Sequence, residues 1–161
     1  MDQKTSDEHL PVRRSQRLSQ HNYEWSASYF VTIRGAHHEP VFEMQELHTI
    51  LEEVWTALPQ RFPHVKLDEF VIMPDHMHGI LHFHVTANNA PSLGRVIGAY
   101  KSITTVTWFD YVKAHTISWS GYLWQRNYHE HILRDAEDLA EKRRYIRENP
   151  QRWAANPNRY T

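Results

Sequence analysis

Apolar residues follow different periods in successive parts of the chain. Residues 1–28 show none: they are polar, rich in Ser and Gln and interrupted by Pro11, and read as an arm outside the core. Tyr29-Phe30-Val31-Thr32-Ile33 is aromatic and β-branched and stops at Gly35, which predicts a first strand. Met44, Leu47, Leu51, Val54 and Leu58 then recur at steps of three and four, one face of a helix that Pro59 closes. The run Phe70-Val71-Ile72-Met73, within Leu67 to Met73, suits a strand covered on both faces, and Pro74-Asp75 interrupts it. Beyond that break Met77, Gly79, Leu81, Phe83 and Val85 alternate with His76, His78, Ile80, His82 and His84, the period of a strand returning in a hairpin.

Further on, Ser92 is placed to cap a helix with Leu93, Val96, Tyr100, Ile103 and Thr107 on its face. The β-branched run from Ile103 to Thr107 pulls towards strand, but the length of the segment favours helix. Ser118 to Gly121 reads as a turn and Leu123 to Leu133 as a last strand. Asp135 opens a final helix, with Glu137 and Asp138 in its first turn and Lys142, Arg143, Arg144 and Arg147 later, an order that suits the helix dipole. Pro150 is expected to end it, because the residue before a proline is biased away from the α region. The order β-α-β-β-α-β-α is the split βαβ pattern of an α+β, ferredoxin-like antiparallel sheet with helices on one face. The chain divides into an arm (1–28), one domain (29–150) and a short basic tail (151–161).

Composition narrows the chemistry. At 161 residues with 40% hydrophobic content and six tryptophans, the chain can build one sizeable core. It has no cysteine, so disulfides, thiolate metal sites and a cysteine nucleophile are excluded. No apolar run approaches the ~20 residues that span a bilayer, and the polar, acidic start is unlike a signal peptide, so a soluble cytoplasmic protein without membrane contact is expected. The net charge of −1 gives no overall sign of nucleic-acid binding. Two local basic clusters nevertheless stand out: Arg13, Arg14 and Arg17 near the start, and Lys142, Arg143, Arg144, Arg147, Arg152 and Arg159 at the end.

His76 and His78 are the first candidates for chemistry. At i and i+2 of a strand they share a face, about 6.5–7 Å apart, and can converge on one metal ion. Two histidines leave coordination positions open, as a catalytic metal requires. A third ligand must come from elsewhere, and the last helix offers Glu141, Tyr145 and Asn149 along one side. His82 and His84 share the face of the pair but lie further along the strand and are read as lining the sheet.

With Met-Pro-Asp-His-Met-His-Gly (73–79) followed by Tyr-Ile-Arg-Glu-Asn-Pro (145–150), the chain resembles the HUH single-tyrosine transposases, and more closely the REP-associated tyrosine transposases. The likeness extends through Arg13-Arg14-Ser15-Gln16-Arg17-Leu18, Tyr100-Lys101-Ser102, Trp124-Gln125 and His131-Ile132-Leu133-Arg134-Asp135 to Trp153. Asp75 departs from the Asn or Glu common before the first histidine. The resemblance implies an endonuclease and strand transferase acting on single-stranded, hairpin-forming DNA, working as a monomer or homodimer. Tyr145 would be the nucleophile, forming a 5′-phosphotyrosine. His76, His78 and Asn149 would hold Mg²⁺ or Mn²⁺. A tyrosine is ~99.9% protonated at neutral pH, so its ionisation needs help, for which Lys142 and Arg144 are close in sequence. Arg13, Arg14, Arg17, Lys101 and Arg152 would contact the DNA, with Lys142 and Arg144 adding to the basic surface.

Two other functions fit the same pattern. The split βαβ sheet also serves nucleic-acid-binding modules that do no chemistry, although no aromatic RNA-binding motif falls on a central strand. A metal-dependent hydrolase of phosphate esters would use the histidines and leave Tyr145 idle.

Overall fold

The strand that carries the histidines is held from both sides. In the computed structural model, which describes residues 26–84 and 91–156, β3 (His76–Phe83) pairs antiparallel with β2 (Val65–Ile72) and with β1 (Ala27–Arg34), and β1 pairs with β4 (His129–Ile132). The sheet order is β2-β3-β1-β4. Between the strands lie α1 (Gln45–Thr56), the short α2 (Leu58–Arg61) and α3 (Leu93–Ala114), and α4 (Ala136–Ala154) follows β4. The β-α-β-β-α-β-α order and the antiparallel α+β sheet read from the sequence are therefore present. No described helix is long and apolar enough to cross a membrane.

Alternation along β3 sorts its side chains to two cores. Met77, Leu81 and Phe83 join Val31 and Ile33 of β1 in the larger core, against Leu47, Leu51 and Trp55 of α1 and Val96, Ile97 and Tyr100 of α3. Gly79 is required there: a Cβ would run into the indole of the fully buried Trp55. On the other face Ile80 joins Phe30, Leu133 and Ile146 in a smaller core under α4. The two long inner helices thus share one face, and the last helix closes the other.

Four local expectations are corrected. β2 is an edge strand and mostly half-buried rather than covered on both faces. The helix capped by Ser92, whose hydroxyl accepts from the Arg95 backbone N–H, buries Ile97, Thr104 and Trp108, whereas Thr107 is exposed; Thr104 is drawn inward because its hydroxyl accepts from the Trp124 indole at 2.9 Å. The last strand is only His129–Ile132: Trp124 bridges Gly35 and the Gln125 N–H bonds to the Arg34 carbonyl, but the carbonyls of Gln125, Arg126 and Asn127 turn to the Lys101 ammonium, which breaks the ladder before His129. Pro150 does not end α4, which continues to Ala154. A proline inside a helix costs about 3 kcal/mol, and packing on both sides of it compensates: Ile146 and Asn149 are buried before it, and Trp153 lies against His76 after it.

Candidate active site

Cross-strand register sets the floor of the site. His76 lies opposite Arg34 and His78 opposite Thr32, so these side chains project from one face of the sheet. The Nδ1 of His78 is 2.8 Å from the Thr32 hydroxyl, and in the tautomer in which Nδ1 donates to that oxygen the lone pair lies on Nε2. That Nε2 is buried and has no hydrogen-bond partner. Burial, then the charges of His76 and Arg34, lower the His78 pKa to about 3, so the ring is neutral at physiological pH, the form that ligates metals. The His76 ring lies 4.8 Å from that of His78, and its Nδ1 donates to the Asp75 carboxylate at 2.5 Å. Asp75, the departure noted above, thus orients the first histidine, a support that metal-bound imidazoles characteristically receive.

The roof is α4. Asp135 caps it by accepting from the Asp138 N–H, as expected. Helical spacing places Tyr145, Asn149 and Trp153 on one stripe. The Tyr145 ring is 5.2 Å from His78 and the Trp153 ring 5.5 Å from His76, so Asn149, itself buried, lies between the two contacts. Phe30 stacks on His78 at 5.2 Å and meets Tyr145 edge-on at 5.9 Å. The Arg152 guanidinium lies 5.5 Å from the centroid of the Tyr145 ring, and Lys142 is at 5.5 Å over Phe30.

Two salt bridges that the sequence reading missed fix the tilt of this roof. Arg143 makes a bidentate fork with Asp68 at 3.0 and 2.6 Å, and Arg147 makes another with Glu69. Adjacent strand residues ordinarily point to opposite faces, but the register between β2 and β3 slips by one residue between Leu67 and Phe70, and this bulge lets both acids reach α4. Asp68 also accepts from His82 Nε2 at 2.8 Å, while His82 Nδ1 is 2.6 Å from the Ser28 hydroxyl. Burial acts to raise the Asp68 pKa, but the hydrogen bonds from His82, Arg143 and the Glu69 backbone, with the Arg143 charge, outweigh it and hold the carboxyl well below the usual range. Two neighbouring acids in an apolar strand, matched by arginines four apart on a helix, were the available signal.

The remaining candidates divide. Glu141, one turn before Tyr145, is exposed and lies 3.8 Å from Lys142. Arg144 is exposed, and Arg152 rather than Arg144 stands at the tyrosine. The three donors of Lys101 go to three carbonyls, which makes it a loop anchor rather than an outward cation. His82 is bound into the sheet by Ser28 and Asp68. Arg13, Arg14 and Arg17 lie outside the described residues. Among the described residues no three His, Asp or Glu side chains converge on a metal position, so an ion here needs a ligand of another type, such as the Asn149 amide.

Comparison with known proteins bears on this arrangement. The family model described as "Transposase IS200 like" matches residues 37–149, which include both histidines, the tyrosine and the asparagine. An uncharacterised protein of Haemophilus influenzae is 34% identical over 88% of this chain and 89% of its own length. A REP-associated tyrosine transposase bound to a REP hairpin has the same fold, with TM-score 0.61 and 18% identity over 89% of this chain and 74% of that one. A putative transposase from Deinococcus radiodurans matches with TM-score 0.55 and 17% identity, over 81% of this chain and 97% of that one.

Proposed function

The chain belongs to the IS200-like transposase family, and on that basis we propose that it cuts and rejoins single-stranded DNA beside hairpins, with Tyr145 as the nucleophile. The observation that carries the proposal is the meeting of Tyr145 with a buried histidine whose Nε2 has no partner, on one face of one chain. A nucleophile and a ligand group held together in this way need only a phosphodiester between them.

His76, His78 and Asn149 fit a divalent ion, Mg²⁺ or Mn²⁺: the His78 Nε2 is buried without a hydrogen-bond partner, and Thr32 and Asp75 orient the two rings. Such an ion supplies polarisation of a non-bridging phosphate oxygen. The Tyr145 oxygen attacks phosphorus and a P–Oη bond forms as the P–O3′ bond breaks; the phenol gives up its proton and the departing 3′ oxygen takes one up, so the net transfer is of one proton from the phenol to the 3′ hydroxyl. One phosphodiester is exchanged for another, so the bond energy is kept for rejoining. Arg152, which pairs with Glu148 at 2.7 Å and lies 5.5 Å from the Tyr145 ring centroid, is the cation nearest the developing phenolate among the described residues. Phe30 packs against His78 and Tyr145, and Trp153 against His76, which holds the rings of the site together. The contact of Tyr145 with His78 of its own chain supports a constellation assembled within one subunit.

Incubation of single-stranded DNA hairpins with the protein and Mn²⁺ tests this reading. A covalent protein–DNA species is expected, and chelation of the metal should abolish it. Cleavage with no adduct would favour a phosphoester hydrolase, and retention of DNA without cleavage a binding module.

A further inference from the structure

The roof of the site leaves one end of its floor open. α4 packs mainly on β2 and β3 and reaches β1 at Phe30 and β4 at His131, while on the same face Arg34 and His129 stay exposed. Thr32 of β1 lies between His78 of β3 and His129 of β4, and Arg34 is opposite His76. Arg34 and His129 are therefore diagonal neighbours, about 7–8 Å apart across the strand pair, on the face that carries the histidine pair. Both are exposed, and among the described residues neither side chain has an ion-pair or hydrogen-bond partner. The neighbouring charged groups on that face are otherwise engaged: His131 with Asp138, Arg143 with Asp68, Arg147 with Glu69.

We propose that Arg34 and His129 form a phosphate-binding shelf that holds the backbone of the unpaired strand beside the scissile group. The assignment rests on the single-stranded-DNA reading above and specifies which residues position that substrate. An unpaired guanidinium beside a metal-ligand pair is suited to a flanking phosphate, which it can grip with two N–H donors. The His129 imidazole, one strand over, reaches the same backbone as a second donor. Tyr145 and Trp153 wall the other side, so a strand laid along β1 would pass between the shelf and the nucleophile.

Binding of a labelled single-stranded DNA hairpin with unpaired flanks, followed by fluorescence anisotropy across a salt series, tests the shelf. Arg34→Gln should weaken binding and reduce the slope of log K against log salt by about 0.7, the value for one phosphate contact on a single strand. Arg34→Lys should keep the slope, and Arg61→Gln, on α2 against the opposite core, should change nothing. His129→Ala should weaken binding about tenfold, and His129→Asn should recover part of the loss. Equal slopes for Arg34→Gln and the unaltered protein, in a preparation that still forms the covalent adduct, would overturn the shelf and leave the cleavage reading standing. An Arg34-dependent slope in a protein that forms no adduct would support the shelf and overturn cleavage.

Discussion

The ring of Tyr145 stands edge-on to the imidazole of His78 with 5.2 Å between centroids, and Phe30 touches both. The last helix and a central strand thus meet through three rings. Thr32 and Asp75 orient the histidines from below, and the Arg143–Asp68 and Arg147–Glu69 forks hold the helix from the side.

The forks should act on catalysis through the placement of Tyr145. Arg143→Ala leaves the depressed Asp68 carboxylate with only His82 and the Glu69 backbone N–H, and a stability loss of about 1–3 kcal/mol is expected in urea unfolding. Glu69→Gln, at the more exposed fork, should cost under about 1 kcal/mol. Both should slow adduct formation, and the reversed pair Glu69→Arg with Arg147→Glu should restore the rate better than either single change. Unchanged rates in the single variants would show that α4 is held by its apolar face alone.

Gly79 follows the histidine pair and faces Trp55. Gly79→Ala forces a methyl group into the indole, and overpacking of this kind costs about 1–3 kcal/mol. Thermal unfolding should show the loss, and Trp55→Leu in the same chain should relieve part of it. Wild-type stability in Gly79→Ala would mean that the indole moves aside freely.

The pH dependence has a defined sign. His78 is a base whose folded pKa is lowered to about 3 from an ordinary ~6.5. The unfolded chain therefore takes up its proton first, and the stability from the neutral ring is full above about pH 6.5 and declines as the pH falls towards 3. Asp68, held below the usual carboxylate range, contributes stability that is present above about pH 4 and lost on further acidification. Denaturant unfolding of metal-free protein between neutral and mildly acidic pH should show the His78 part, with a slope of at most ~1.4 kcal/mol per pH unit for one proton. His78→Asn should flatten it. A slope that persists in His78→Asn would assign the proton to another group.

Much of the site was legible in the sequence because it depends on local periods. Alternation placed His76 and His78 on one face, and the tyrosine and asparagine four apart shared a helix face. What escaped depends on contacts between distant elements. No local pattern announces the one-residue slip at Leu67–Phe70 that turns both Asp68 and Glu69 towards α4. Pro150 marked a helix end by its own preference, and only the seat of Trp153 on His76 shows why the helix continues. Lys101 looked like an outward cation until three carbonyls of the Gln125–Asn127 segment claimed its donors. Arg34 and His129 became visible only when register set them beside the histidine pair.

The central claim is that Tyr145 carries the DNA. Mass spectrometry of the protease-digested protein after reaction with a single-stranded DNA hairpin and Mn²⁺ tests it most directly. A nucleotide attached through its 5′ phosphate to the peptide containing Tyr145, absent in Tyr145→Phe and strongly reduced in His78→Ala, is the expected result. A covalent adduct that survives in Tyr145→Phe, or that maps to any other residue, would contradict it.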